Sequence, residues 1–255
     1  MGIITALFNQ KGGVGKTTTC ANLSAAIALK NKKVLAVDFD PQSNLTSGFG
    51  INRKMLRNTI YHVLVNDVNA RDVIVKTEIE GLDLLPANID LAGAEIEMSN
   101  LYQRETVLQR ALSKVKNDYD FIFIDCPPSL GLLPINALTA SDNVIIPIQC
   151  EYYALEGVSQ LINTVNLVKR SLNIDLEVSG VIMTMYDNRT NLSQQVYEEV
   201  SNYFSTKVFR TIVPRNVRLA EAPSHGMTIM QYDIKSKGAE AYDKLADEII
   251  NRMKL

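Results

Sequence analysis

The residues Lys11-Gly12-Gly13-Val14-Gly15-Lys16-Thr17-Thr18 form a cradle for phosphate oxygens. The glycines let backbone N–H groups turn inward around an anion, and a helix starting directly after them adds the positive end of its dipole. In that setting the Lys16 ammonium reaches the β- and γ-phosphates of a nucleotide, and the Thr17 hydroxyl sits on Mg2+. The flanking chain suits the task. Ile3 to Phe8 is an apolar run with strand character, and Cys20 to Ile27 repeats apolar residues at helical spacing. A Gly-rich turn with two surface lysines would need neither the threonines nor the flanking elements, so the combination is specific.

The loop departs from the general phosphate-loop pattern in one place and adds to it in another. Gln10 stands where a glycine is usual, and Lys11 is a second cation at the mouth. Holding one nucleotide does not require it. Its expected use is to reach a phosphate across a dimer interface and neutralise charge that develops during phosphoryl transfer. Acids complete the set. Asp38 and Asp40 follow the apolar run ending at Val37, and Asp125 ends the run Phe121 to Ile124. In an open α/β sheet both places lie at the carboxyl edge of the strands, where ligands bind. An isolated acid after a strand ordinarily caps a turn, but beside a phosphate loop Asp38 and Asp40 read as site residues. Asp125 is expected to hold Mg2+ through water. Pro127-Pro128-Ser129 reads as a stiff segment that senses the γ-phosphate. Cys126 beside it reads as a small buried filler.

On these residues the chain resembles the deviant Walker A ATPases: the ParA/Soj partition proteins, the MinD division-site proteins and the nitrogenase iron protein. Further blocks bring it nearest to the short chromosomal ParA type, usually called Soj. They are Val37 to Gln42, Ile124 to Ser129, Gln149-Cys150-Glu151-Tyr152-Tyr153-Ala154-Leu155-Glu156-Gly157 and Pro214 to Arg218. The resemblance runs nearly end to end. It implies an ATP- and Mg2+-dependent hydrolase that forms an ATP-dependent homodimer, with Lys11 and Lys16 acting at the phosphates. Asp40 would orient the attacking water, and Asp38 would help hold a switch and the Mg2+ water shell. Pro214, Arg215 and Asn216 would cover the adenine, where the residues alone support only a loop. It also implies a ParB-type centromere-binding partner.

The elements that must position these groups are legible as alternation. Strand-like runs are Ile3–Phe8, Lys33–Val37, Leu82–Leu85, Phe121–Ile124, Asn143–Ile148, Val178–Thr184 and Lys207–Val213. Several lack in/out alternation, as strands buried on both faces do. Helical spacing lies between them, as in Leu155–Leu172 and Leu192–Phe204, and Thr46 to Val75 reads as a helical excursion. The expected fold is a doubly wound, mostly parallel α/β sheet with helices on both faces, in one domain spanning residues 1–255.

Composition narrows the function classes. At 46% hydrophobic and 21% charged residues the chain has an ordinary globular balance. No apolar run approaches a membrane span, and no basic leader precedes the first strand, so a cytoplasmic protein is expected. Three cysteines without paired spacing point to a reducing compartment, and two histidines make a histidine metal centre improbable.

The net charge of −2 argues against constitutive nucleic-acid binding. Locally the picture differs, because Val200 to Ala220 holds Lys207, Arg210, Arg215 and Arg218 and no acid. With Arg189, Lys235 and Lys237 these residues are the candidate contacts to double-stranded DNA, through phosphates and therefore without sequence preference. Nucleoid association would follow. The last helical stretch, Gly238–Leu255, carries an apolar stripe but acids opposite it, so it is expected to pack on the core rather than seek a membrane. That counts against the chief rival, a MinD-like membrane switch. A redox protein with a bridged cluster and a passive filament-forming scaffold are more distant alternatives.

Overall fold

The computed structural model describes residues 2–151 and 157–253. The strands are β1 Ile3–Leu7, β2 Val34–Asp38, β3 Val75–Lys76, β4 Leu82–Leu85, β5 Phe121–Asp125, β6 Asn143–Gln149 and β7 Glu177–Thr184. They form one sheet in the order β3-β4-β2-β5-β1-β6-β7, parallel except for β3, which pairs antiparallel with β4 at the edge. Every residue of β2 and β5 is buried. Helices therefore cover both faces, and the runs need no polar alternation.

Successive side chains feed two cores. Ile4, Ala6, Leu35, Val37, Ile122 and Ile124 face one side, with the helices Ile60–Val65, Val107–Ser113, Leu132–Ala140, Val158–Ser171 and Asn191–Phe204. Leu7, Val34, Ala36, Phe121 and Phe123 face the other, against the helices Lys16–Ala28 and Lys237–Met253. The apolar stripe of the last helix is spent on this packing. Ala239, Tyr242, Leu245, Ala246 and Ile249 are buried, and the Tyr242 hydroxyl meets the Thr19 hydroxyl at 3.1 Å.

The expected strand Lys207–Val213 is not one. A 3-10 turn at Ser205–Lys207 leads into extended chain that forms isolated bridges at Val208 and Pro214 and donates to the Val181 and Met183 carbonyls from Phe209 and Val213, without becoming a strand. The N–H groups of Arg210 and Thr211 are taken by the Glu248 carboxylate at 2.8 and 3.0 Å, which breaks the ladder. The excursion from Thr46 is helical as expected but ends in a strand, the two-residue β3, too short to leave a period-two pattern. The helix expected over Leu155–Leu172 is seen from Val158 to Ser171, and Tyr152–Glu156 of the quoted block lies outside the described residues. So do Lys254 and Leu255 of the expected helical stretch Gly238–Leu255.

Gly180 of β7 lies under the Phe209 ring. A Cβ there would stand 2.1 Å from Phe209 Cε2. Gly180→Ala must displace a fully buried aromatic ring, and the expected loss is about 1–3 kcal/mol. Urea denaturation checks it; an unchanged midpoint would mean the ring moves freely.

Candidate nucleotide and basic-groove site

The phosphate loop joins the carboxyl end of β1 to the helix Lys16–Ala28. Gly13 and Gly15 turn the chain with φ of 76° and 87°, a region that side chains disfavour. Gly15 is the helix N-cap and offers no side chain to the first-turn N–H groups, which leaves them for an anion. Thr184 at the end of β7 ties the loop down, its hydroxyl donating to the Val14 carbonyl at 2.9 Å. The Lys16 side chain is buried, and its Nζ donates to the Lys11 carbonyl at 2.9 Å. Burial lowers its pKa, while Asp125 and Asp40 oppose that shift.

Asp38 and Asp125 are register partners on adjacent strands and both are fully buried. Asp38 is well provided with donors. Its Oδ2 accepts the Thr46 N–H at 2.8 Å and the Thr46 hydroxyl at 2.6 Å, and its Oδ1 accepts the Asp40 N–H at 3.3 Å. Burial nevertheless pushes it up to about 6, against those donors. Neither oxygen of Asp125 makes a well-formed hydrogen bond among the described residues, although the Thr17 hydroxyl is placed to favour its charge. Burial, then the neighbouring Asp38, raises its pKa well above the carboxylate range, with Thr17 and Lys16 the groups that favour its charge. A buried carboxylate with no well-formed hydrogen bond, beside a lysine and a threonine at a phosphate cradle, has the chemistry of a Mg2+ outer-shell ligand. The residues present fit the ion.

Asp40 is nearly buried, and its Oδ1 accepts the Gln42 N–H at 2.9 Å. Arg53 braces the loop beyond it, donating to the Gln42 carbonyl at 2.9 Å and the Ser43 hydroxyl at 2.8 Å. Opposite, the place of a Gly12 Cβ lies 4.0 Å from Pro128 Cβ, so the segment Pro127–Ser129 borders the phosphate loop. Lys11 stays at the exposed mouth, paired with Glu151.

Beside the loop is an apolar pocket of about 300 Å3 whose lining includes Gly15, Thr18, Thr184, Pro214, Asn216 and Tyr242. Asn216 uses its side-chain oxygen to cap the helix Val217–Glu221, accepting the Arg218 N–H at 2.8 Å. Its amide nitrogen is not spent on that cap. A wider groove of about 850 Å3 shares Pro214 and Arg215 with this pocket.

That groove collects Arg189, Arg210, Arg215 and Lys237 of the expected DNA contacts and adds Lys244, which spacing did not single out. The others lie apart. Lys207 lines a hollow with Arg252 near the start of β7, Arg218 pairs with Glu221 at 2.9 Å and Asp233 at 3.7 Å, and Lys235 sits on an exposed turn. The stretch is acid-free in sequence but not in space. Asp187 grips Arg189 with both oxygens at 2.8 and 2.7 Å, and Glu240 lines the groove. Thr46, Arg53, Thr184 and Tyr242 were not singled out for the site, since each acts only through chain folded against it, and Glu151 stood in a quoted block without a role.

Cradle, acids, base pocket and doubly wound sheet define a P-loop nucleotide-binding protein. The AAA domain family model matches residues 2–178. The sporulation initiation inhibitor protein Soj of Bacillus subtilis (strain 168) is 59% identical over 98% of this chain and 98% of its own. The chromosome-partitioning ATPase Soj of Treponema pallidum (strain Nichols) is 50% identical over 99% of this chain and 98% of its own. Among solved structures, the cobyrinic acid a,c-diamide synthase of Mycobacterium smegmatis with bound ADP and magnesium has a TM-score of 0.88 and 41% identity, covering 100% of this chain and 96% of its own. The chain belongs to the Soj/ParA family of chromosome-partitioning proteins.

The buried acids set a pH dependence. Both bind protons more readily folded than unfolded, so their stabilising protonation is fully present below about pH 4 and is lost as pH rises through 6 and beyond. In nucleotide-free protein, Asp125→Asn should gain melting temperature over the wild type as pH rises from 5 to 8. Adding Mg2+ and a nucleotide should close the gap by stabilising the wild type alone. Parallel melting profiles for the two proteins would remove Asp125 from the metal site.

Proposed function

We propose that this protein is a Mg2+-dependent ATPase that closes with ATP into a face-to-face dimer, binds duplex DNA without sequence preference, and moves chromosomal or plasmid DNA with a ParB-type centromere-binding partner. The observation that carries the reading is the sharing of Pro214 and Arg215 between the base pocket and the basic groove. The names of the relatives, a partitioning ATPase among them, support it.

In this reading the inward N–H groups of the loop and the Lys16 ammonium hold the phosphates, Lys16 exchanging the Lys11 carbonyl for a phosphate oxygen. Thr17 and Asp125 hold Mg2+, which when bound neutralises charge on the β- and γ-phosphates. Asp40 orients the attacking water. Asp38, tied to Thr46, links the strand end to the switch. Lys11 leaves Glu151 for the phosphate of the second subunit. An exposed ion pair is worth little, so its exchange costs little.

Dimerisation supplies the DNA switch. One groove with about three phosphate contacts gives a salt slope near −3, and two grooves on one rigid body give a slope near −5 with shared effective concentration. ATP then turns binding on and hydrolysis turns it off. The protein would be cytoplasmic and nucleoid-associated.

The test is binding of a random-sequence duplex by Asp40→Ala protein with no nucleotide, ADP, ATP, or ATP plus EDTA, with subunit mass followed in parallel. Dimer and DNA binding are expected together, with Mg-ATP only. A dimer without DNA binding would make the groove ordinary surface. Within the groove, Arg210→Glu should abolish binding, whereas Asp187→Asn should release Arg189 and tighten binding severalfold with a steeper salt slope. No gain in Asp187→Asn would show that Arg189 does not touch the backbone of DNA.

A further inference from the structure

The segment Arg210–Asn216 serves two sites at once, yet it is neither strand nor helix and needs something to hold it. Val213 and Arg215 are bonded to β7 and its continuation, Val213 N–H to the Met183 carbonyl at 2.9 Å and Arg215 N–H to the Tyr186 carbonyl at 2.9 Å, and the start of the segment is held by the helix Lys237–Met253. Glu248 accepts the N–H of Arg210 with Oε1 at 2.8 Å and the N–H of Thr211 with Oε2 at 3.0 Å, a two-toothed grip on consecutive peptide groups. Arg252, one turn on, lies 3.4 Å from Glu248 Oε1 and places its guanidinium 4.1 Å over the Phe209 ring. It also donates to the carbonyls of Ser179 and Lys207 at 3.1 Å. On the same helix Tyr242 lines the base pocket and is joined to Thr19 of the phosphate-loop helix. The helix is thus a straight edge from the phosphate cradle to the segment that carries Pro214 and Asn216.

We infer that Glu248 is a positioning residue for base recognition, its carboxylate setting the height of the Pro214–Asn216 loop over the nucleotide pocket. This rests on the reading of that pocket as the base site. The grip needs two acceptors. Both oxygens of a carboxylate accept, whereas a glutamine would turn an NH2 group toward one of the two N–H donors. Loss of a charge-assisted bond of this kind leaves a peptide donor unsatisfied and lets the segment shift. Contacts to the phosphates, made by the loop at Lys11–Thr18, lie on another element and do not depend on it.

The experiment compares ATP with inorganic tripolyphosphate, which can use the phosphate cradle alone, by calorimetric titration in the presence of Mg2+. Glu248→Gln should weaken ATP about tenfold, the equivalent of ~1.4 kcal/mol, and leave tripolyphosphate within about twofold, close to neutral on the same scale. Glu248→Asp keeps the charge but withdraws it by one methylene, and it should move the ATP to tripolyphosphate ratio in the same direction, so the ratio can still be read if the glutamine variant is too unstable to purify. Arg252→Ala separates positioning from support: it should lower the melting temperature without changing the ratio. The inference is overturned if ATP binding in Glu248→Gln matches the wild type, or if ATP and tripolyphosphate weaken together. If wild-type protein binds both ligands equally, the base-site reading itself fails, and the inference with it, whatever Glu248 does.

Discussion

Two carboxylates, Asp38 and Asp125, stand side by side at the ends of adjacent strands in the middle of the sheet, sealed from solvent. That arrangement is costly, and much of the surrounding structure answers to it. Asp38 is given three donors, two of them from Thr46, and is still held near 6 by its burial. At about 1.4 kcal/mol for each tenfold change in proton affinity, its ionised form is less favoured than in water by on the order of 3 kcal/mol. Asp125 is given no well-formed hydrogen bond among the described residues, with only Thr17 and Lys16 to favour its charge. The unequal provision is what a carboxylate reserved for a cation from outside would show, the role proposed for Asp125. Lys16 cannot serve as that cation alone, because burial disfavours its charge too. Phosphate, ammonium, carboxylate and metal ion form a set in which each member lowers the cost of the next.

The same strand ends explain the reach of the site. Asp38 passes its position to Thr46 through two short bonds, and Thr46 accepts the Ala87 N–H beyond it. The loop between Asp40 and Thr46, braced by Arg53, is therefore anchored at the point where the phosphates would lie. On the other side of the cradle the anchor is Thr184, which joins the loop to the last strand of the sheet. Nucleotide-dependent rearrangement at one end would meet fixed chain at the other, the condition for a discrete rather than a gradual switch.

Much of this was legible along the chain, for physical reasons that differ from place to place. The phosphate cradle is local: its glycines, lysine and threonine act through backbone turns within a few residues, so order alone shows them. The acids were legible because an acid directly after an apolar run must lie at a strand end. Lys207–Val213 misled because its apolar, β-branched character describes buried extended chain, which it is. What denies it a ladder is Glu248, far along the chain and on a helix. The basic window misled in a similar way. Its lack of acids held only along the sequence, since Asp187 and Glu240 reach the groove from other elements. Lys244 went unremarked because on its own helix it reads as the partner of Glu240, to which it is paired at 2.7 Å.

Those acids change what the groove can do. A purely basic groove of this size would hold phosphates in every nucleotide state, and the protein would not be released. Here the Nε and Nη2 edge of Arg189 is taken by Asp187, and Lys244 is paired with Glu240. At these two residues a DNA phosphate would compete with a carboxylate already in place, so these two contacts would gain less than a bare cation gives. The net charge of −2 works in the same direction at long range. In the proposed function, binding would then depend on adding a second groove as well as on the strength of one, and that dependence would let dimerisation act as the switch.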